Sequence, residues 1–369
     1  MSEAEVIDES GFVAGLAVAV HRLAQQEVPG KLVYDDVVQR VYNHFVLRTL
    51  PHDGYDTPDS VPAMIDLIAD EPVRMWLPGS DSEAVLVHKD TRSPTQECAE
   101  LIVGNRHDPI GEKLENEILG EVLDTCRALD APESYEAFRR LLIENPTLTY
   151  AEHVTERARM ELMPVVDLLD RCYETASARL RRDDHYAQCA WCGCLLRPIG
   201  QDEWRCDLDR CRARTTKVGR LIDSNTPGGV LHLRLPLRTF VTGPGLFELD
   251  LETKLHKRGL DVEMWPKFDT YDLLITFPDG ARWAVDVKDY ANPRVLGRKF
   301  AGIPSDPPWD RAFLVVPDYR RTGDKQYLEK FRTARESAGR PPLALRFVKK
   351  FLKDVDRRLS LPTEEGSDA

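Results

Sequence analysis

Asp272, Asp286 and Lys288 are the side chains of this sequence best equipped for chemistry. They belong to Tyr271-Asp272-Leu-Leu-Ile-Thr-Phe-Pro-Asp-Gly-Ala-Arg-Trp-Ala-Val-Asp286-Val-Lys288, which reads as two short strands joined by a turn. Phe277-Pro278-Asp279-Gly280 supplies the turn, because Pro presets φ and Gly tolerates positive φ. Asp286 and Lys288 lie two apart on the second strand and share one face, leaving Val285 and Val287 for the buried face. Asp272, on the hairpin's other strand, reaches the same surface. Two carboxylates and a lysine converging there can hold a divalent cation and a water molecule, the equipment for metal-assisted phosphodiester cleavage.

A second constellation is made of sulfur. Five of the eight cysteines fall between 189 and 211, in Cys189-Ala-Trp-Cys192-Gly-Cys194 and Cys206-Asp-Leu-Asp-Arg-Cys211. Two close-set pairs about a dozen residues apart match the spacing of a tetrahedral structural zinc site. The expected ligands are Cys189, Cys192, Cys206 and Cys211, with Cys194 a spare thiol and Gly193 allowing a tight knuckle. Trp191 and Trp204 are expected to cover the metal. A closed four-thiolate site has no open position, so its zinc is structural. Cys98, Cys126 and Cys172 are isolated and read as buried thiols.

The whole chain sets bounds on these readings. Its 369 residues suit two or three domains, and 42% apolar with 30% charged residues is the composition of a soluble globular protein. The longest apolar stretch, Gly11 to Val20, is about half of what a bilayer crossing needs, and no basic segment precedes it. The expected location is the cytoplasm, with no membrane partner. Net charge is −12, yet Arg205, Arg210, Arg212, Arg214, Lys217 and Arg220 form a basic segment beside the cysteines. Local charge rather than the total sets the field, so this ribbon is the element expected to touch phosphates.

Three spans must position these groups: a mostly helical region over 1–180, a zinc ribbon over 185–220 and an α/β region over 230–360. Apolar spacing predicts helices over Tyr34–Leu50, Lys113–Leu129, Ser134–Glu144, with the serine as N-cap, and Tyr150–Ala178. Pro51–Pro62 and Pro72–Pro94 read as irregular connectors, with a short strand at Ala84–His88. Asn145-Pro-Thr-Leu-Thr-Tyr150-Ala-Glu-His has the look of a helix-turn-helix turn, a weak pointer to DNA reading. Val230–Leu237 reads as a strand broken by Gly243-Pro244-Gly245. A helix over Leu246–Arg258 stops at Gly259, and the hairpin follows. After a Pro/Gly-rich stretch, Asn292–Pro308, come a strand at Arg311–Val316, a helix at Gln326–Ala338, a strand at Leu343–Val348 and a helix at Lys349–Leu359. The order predicts an α/β sandwich with a mixed central sheet. Thr363–Ala369 reads as a polar tail.

Gly245-Leu-Phe-Glu248 opening a helix, then a strand with Asp272, then Asp286-Val-Lys288, resembles the P-D-(D/E)-x-K restriction endonuclease superfamily over about residues 240–350. Tyr271 stands where the name-giving proline would. The resemblance implies a restriction-endonuclease-like core in which Glu248, Asp272, Asp286 and Lys288 are catalytic. It implies that Asp272, Asp286 and the Val287 carbonyl hold Mg²⁺ or Mn²⁺, while Glu248 acts through a bound water or a second metal. The ribbon, the Leu-Arg-Leu-Pro-Leu-Arg-Thr-Phe-Val-Thr-Gly-Pro-Gly lead-in and this core together resemble the nuclease partners of bacterial pPIWI-RE defence modules. That narrower likeness implies an endonuclease acting on DNA beside an Argonaute-like protein and a helicase, with a homodimer as the expected assembly. The alternative is a catalytically inactive nuclease fold acting as an adaptor, binding nucleic acid or protein through its ribbon and helical region.

Overall fold

The computed structural model describes residues 9–25, 34–104 and 111–360; the tail expected over 363–369 lies outside them. The chain divides into two compact units, one of Met1–Ile118, Thr147–Glu152 and Tyr173–Thr239, the other of Leu119–Pro146, His153–Cys172 and Phe240–Ala369. These boundaries differ from the spans 1–180, 185–220 and 230–360. Two pieces of the helical half cluster with the C-terminal region, and a short strand near 148 pairs with one near 231.

In the first unit, helices Glu9–Gln25, Asp36–Thr49, Val61–Ile68 and Gln96–Gly104 enclose a core that includes Phe12, Leu16, Val38, Phe45, Met64 and Trp76. Asp35 caps the second of them, its Oδ1 accepting from the amides of Val37 and Val38 at 2.9 Å each. The proline-bounded connectors are more ordered than their composition suggests. Val73–Trp76 forms a helical turn, while the strand expected at Ala84–His88 is reduced to isolated bridges at Val85 and Val87.

The helix-turn-helix likeness does not survive. Thr147–Thr149 is a strand, paired antiparallel with Val230–Leu233 and setting Leu148 opposite Leu231. The helix expected over Tyr150–Ala178 is broken into Tyr150–Arg157, a 3₁₀ segment Met160–Val165 and Val166–Cys172, then a strand Tyr173–Thr175. Pro164, which cannot donate a helical hydrogen bond, sits inside the 3₁₀ segment.

The second unit is built around a five-stranded mixed sheet. Helix α1 (Pro132–Glu144) precedes it in the chain, with Tyr135, Phe138, Leu141 and Leu142 on its buried side. Ser134 is not its N-cap: the helix starts one turn earlier, at Pro132, and the serine is buried. Helix α2 (Gly243–His256) runs straight through the Gly-Pro-Gly expected to be a break, because proline suits a first turn. It ends as expected, with Gly259 in the left-handed region at φ 75°.

Strand β1 (Asp261–Met264) follows, then β2 (Leu273–Thr276) and β3 (Arg282–Val287), the two arms of the expected hairpin. Helix α3 (Pro293–Lys299), capped by Asn292, occupies the stretch that sequence assigned to a loop. Strand β4 (Arg311–Val316), helix α4 (Tyr327–Ser337), strand β5 (Leu345–Phe347) and helix α5 (Val348–Leu359) complete the unit. The order across the sheet is β5-β4-β3-β2-β1, with β3–β4 and β4–β5 parallel and the other pairs antiparallel. Strand β1 was invisible in the sequence, where its four residues, Asp-Val-Glu-Met, have half their positions charged.

Both faces of the sheet are covered. Leu314 and Val316 pack with Leu296, Tyr327 and Phe331 of α3 and α4. The alternate residues Trp283 and Phe313 meet Phe351 of α5, with ring centroids 6.3 and 5.4 Å away. Asp286, on the face of Leu314, is therefore enclosed by the protein rather than standing on an open sheet surface.

Candidate active site and cysteine cluster

The hairpin register decides where the charged groups fall. Leu273 pairs with Val285, so one step further along the ladder sets Asp272 across from Asp286, on the same face. Met264 pairs with Leu273, and the Trp265 amide donates to the Asp272 carbonyl at 2.8 Å, which places Trp265 next in the row. Lys288 lies two residues beyond Asp286. Its ammonium pairs with Asp286 Oδ1 and stands 3.6 Å from Asp272 Oδ2. Asp272 is fixed from the other side by the Val287 amide, which donates to its Oδ2 at 2.6 Å. The three groups singled out from sequence thus converge at the ends of β2 and β3.

Glu248, buried on α2, joins them without facing them. Both its oxygens are occupied: Arg139 Nη2 donates to Oε1 at 3.1 Å and Oε2 at 3.0 Å, and Trp265 Nε1 donates to Oε2 at 2.7 Å. Arg139, on α1, also pairs with Asp269, stands 3.6 Å from Asp272 Oδ1 and lies over the Trp265 ring at 5.0 Å. Asp269 Oδ2 accepts from Tyr135 Oη at 2.7 Å.

Sequence reasoning missed Arg139, Trp265 and Asp269. Arg139 sits in an otherwise apolar helical stripe more than a hundred residues upstream, and nothing local announces its partner. Asp269 is aimed inward by an unusual backbone. Trp265, Lys267, Phe268 and Asp269 all have φ between 47 and 66°, a run of left-handed residues without glycine. Such strain persists where the surroundings over-determine it.

The electrostatics are those of crowded carboxylates. Burial, followed by the opposing pull of Lys288 and the push of Asp272, drives the Asp286 carboxyl up to about 8. Burial raises Glu248 to about 7 against the pull of Arg139, and Asp269 is raised for the same reason. Burial alone would lower Lys288, but Asp272 and Asp286 hold it above its ordinary value, so it remains an ammonium at neutral pH. It can orient and polarise; it is a poor proton acceptor.

The donor chemistry fits a hard divalent cation. Two buried carboxylates face each other across adjoining strands, and the Asp286 carboxyl is raised by burial first and, against the pull of Lys288, by Asp272. Among the described residues, the set of three or more candidate ligands whose donor atoms all lie within 4.8 Å of one another is the sulfur one: Cys189, Cys192, Cys206 and Cys211.

Those four buried thiols can hold a metal ion such as zinc. Gly193, at φ 72°, makes the knuckle, its amide donating to the Cys189 carbonyl at 2.9 Å. Cys194 stays outside the four; its carbonyl accepts from the Cys189 amide at 2.8 Å. Trp191 is 41% exposed and its ring carries Arg214 at 5.4 Å, while Arg182 lies over Trp204 at 4.8 Å. Much of the basic segment is neutralised within its own unit. Arg205 and Arg212 pair with Asp90 at 3.1 and 2.5 Å, and Arg220 with Glu152 at 2.6 Å.

A five-stranded mixed sheet flanked by helices, with Asp272, Asp286 and Lys288 at adjoining strand ends, defines a restriction-endonuclease-like domain. Residues 245–362 match the family described as "REase associating with pPIWI_RE", and residues 12–149 match "pPIWI_RE three-gene island domain Y". The chain belongs to the pPIWI-RE module family. No curated protein and no solved structure matches it. No helix among the described residues is long and apolar enough to cross a membrane.

Proposed function

We propose that this chain is a metal-dependent endonuclease that hydrolyses DNA phosphodiester bonds within a bacterial defence module. The observation that carries this reading is the placement of Asp272 across from Asp286 with the Lys288 ammonium beside both, inside the segment matched to the nuclease family. The Asp272 and Asp286 carboxylates and the Val287 carbonyl would hold Mg²⁺ or Mn²⁺. A bound ion supplies Lewis-acid polarisation of the phosphate and a more acidic water. Lys288, kept protonated by its two carboxylates, orients the attacking water and offsets charge developing on the phosphate oxygens. The Val287 amide holds Asp272 in position for this role.

The four-thiolate cluster takes structural Zn²⁺ and fixes the ribbon's shape. Residues 12–149 serve docking to the module's other proteins, an Argonaute-like protein and a helicase, and the nuclease acts in the cytoplasm as a homodimer. One observation favours a second reading: Arg139 occupies both oxygens of Glu248 and pairs with Asp269, as it would in a silent nuclease fold retained as an adaptor.

Supercoiled plasmid incubated with Mg²⁺ or Mn²⁺ separates the two. The nuclease reading expects nicking by wild type and its loss in Asp286→Asn and Lys288→Ala with the fold intact. Equal nicking by all three would remove the site assignment. No nicking by wild type, with or without the module's partner proteins, would establish the adaptor.

A further inference from the structure

The pocket beside the Asp272–Asp286 pair already contains a cation. Arg139 projects from α1 into a space bounded by Glu248, Asp269 and Asp272, and a guanidinium does not lose its proton in proteins. Glu248 has little left to offer. Both Glu248 oxygens accept hydrogen bonds from Arg139, and one also from Trp265. Asp269 Oδ2 accepts from Tyr135 and Arg139. Of the four carboxyls gathered here, Asp272 and Asp286 are the two that face Lys288, and Lys288 is 31% exposed at its side chain, so solvent reaches that end of the cluster.

Charge counting points the same way. Glu248, Asp269, Asp272 and Asp286 carry four negative charges when ionised, and Arg139 with Lys288 carry two positive ones. The remaining two are closed by one divalent ion; a second would leave a buried excess of positive charge, which is costly.

The cation also has a separate origin. Arg139 lies in the segment matched to domain Y, whereas all four carboxyls lie in the segment matched to the nuclease family. In the nuclease-matched segment alone, Lys288 would be the one cation set against these four carboxyls.

We propose that Arg139 is the built-in second cation of this centre, so that the site takes a single divalent ion at Asp272 and Asp286, and Glu248 is a clamp for the arginine rather than a metal ligand. The inference rests on the nuclease reading above.

The test is a count. Zinc-loaded full-length protein is titrated with Mn²⁺, and free Mn²⁺ is followed by its electron paramagnetic resonance signal. One Mn²⁺ per chain is expected for wild type, one for Glu248→Gln at saturation, and none for Asp286→Asn. Arg139→Met leaves Lys288 as the one positive charge beside the four carboxyls, and is expected to bind its Mn²⁺ at least about tenfold more tightly than wild type. Two ions in wild type, loss of the ion in Glu248→Gln, or an unchanged Mn²⁺ affinity in folded Arg139→Met would overturn the proposal and leave the metal site standing. No ion in wild type, or a count indifferent to Asp286→Asn, would overturn the nuclease reading itself. Should Arg139→Met not fold, the wild-type count and Glu248→Gln decide alone.

Discussion

Replacing Asp286 by Asn is expected to make the metal-free protein more stable, increasingly so as pH rises. Its carboxyl is raised from 3.8 to about 8 by burial and the neighbouring Asp272, with Lys288 opposing. A raised carboxyl means that the folded chain binds the proton more tightly than the unfolded one. The stability this contributes is full below pH 3.8 and is lost as pH rises through about 8. Between about pH 6 and about pH 8.5 that loss amounts to roughly 2 to 3 kcal/mol, at 1.36 kcal/mol per unit. Asparagine has nothing to titrate and escapes it. In thermal unfolding with EDTA present, the melting temperature of Asp286→Asn relative to wild type should therefore rise by about 3 to 4 °C over that interval. A difference independent of pH, or wild type gaining stability relative to Asp286→Asn toward alkaline pH, would refute the argument that Asp286 is a buried carboxyl beside Asp272.

Three further outcomes rest on the same geometry. Mg²⁺ must displace the Asp286 proton, so its binding should tighten at least about tenfold between about pH 6 and about pH 8 and release protons, read by calorimetry in buffers of different ionisation heat; pH-independent binding would place the ion elsewhere. Metal analysis should find one zinc per chain in wild type and in Cys194→Ser and none in Cys206→Ser; loss of zinc in Cys194→Ser would redraw the ligand set. At Gly297 a Cβ would lie 2.5 Å from the Phe331 carbonyl oxygen and 3.2 Å from Ala334 Cβ, so Gly297→Ala should cost a net of about 1 to 2 kcal/mol in urea unfolding despite alanine's better helix propensity. A neutral or stabilising effect would contradict the close packing of α3 on α4.

Local signals in the sequence were legible where the chemistry is local. The hairpin declared itself through its Pro-Asp-Gly turn, and the alternation that puts Asp286 and Lys288 together depends on two-residue periodicity alone. The thiol cluster was equally plain, because ligand spacing and knuckle glycine sit within about twenty residues of each other. The failures have a common cause in distant partners. Strand β1 is recruited by pairing with β2, not by any apolar pattern of its own. Thr147–Thr149 is a strand because Val230–Leu233 lies beside it, and no turn chemistry near Asn145 could reveal that. Arg139 is the sharpest case: its meaning lies in carboxylates 109 to 133 positions away, and in isolation it is an arginine on a helix. Composition did not reveal that at the ribbon Arg205, Arg212 and Arg220, counted as basic surface, pair with Asp90 and Glu152.

Anomalous diffraction from crystals soaked in Mn²⁺ addresses the central claim most directly. A single strong peak within about 2.3 Å of carboxylate oxygens from both Asp272 and Asp286, with Arg139 still on Glu248, is the predicted result. A peak held by Glu248 and Asp269 in place of Arg139, or no peak beside Asp286, would contradict it.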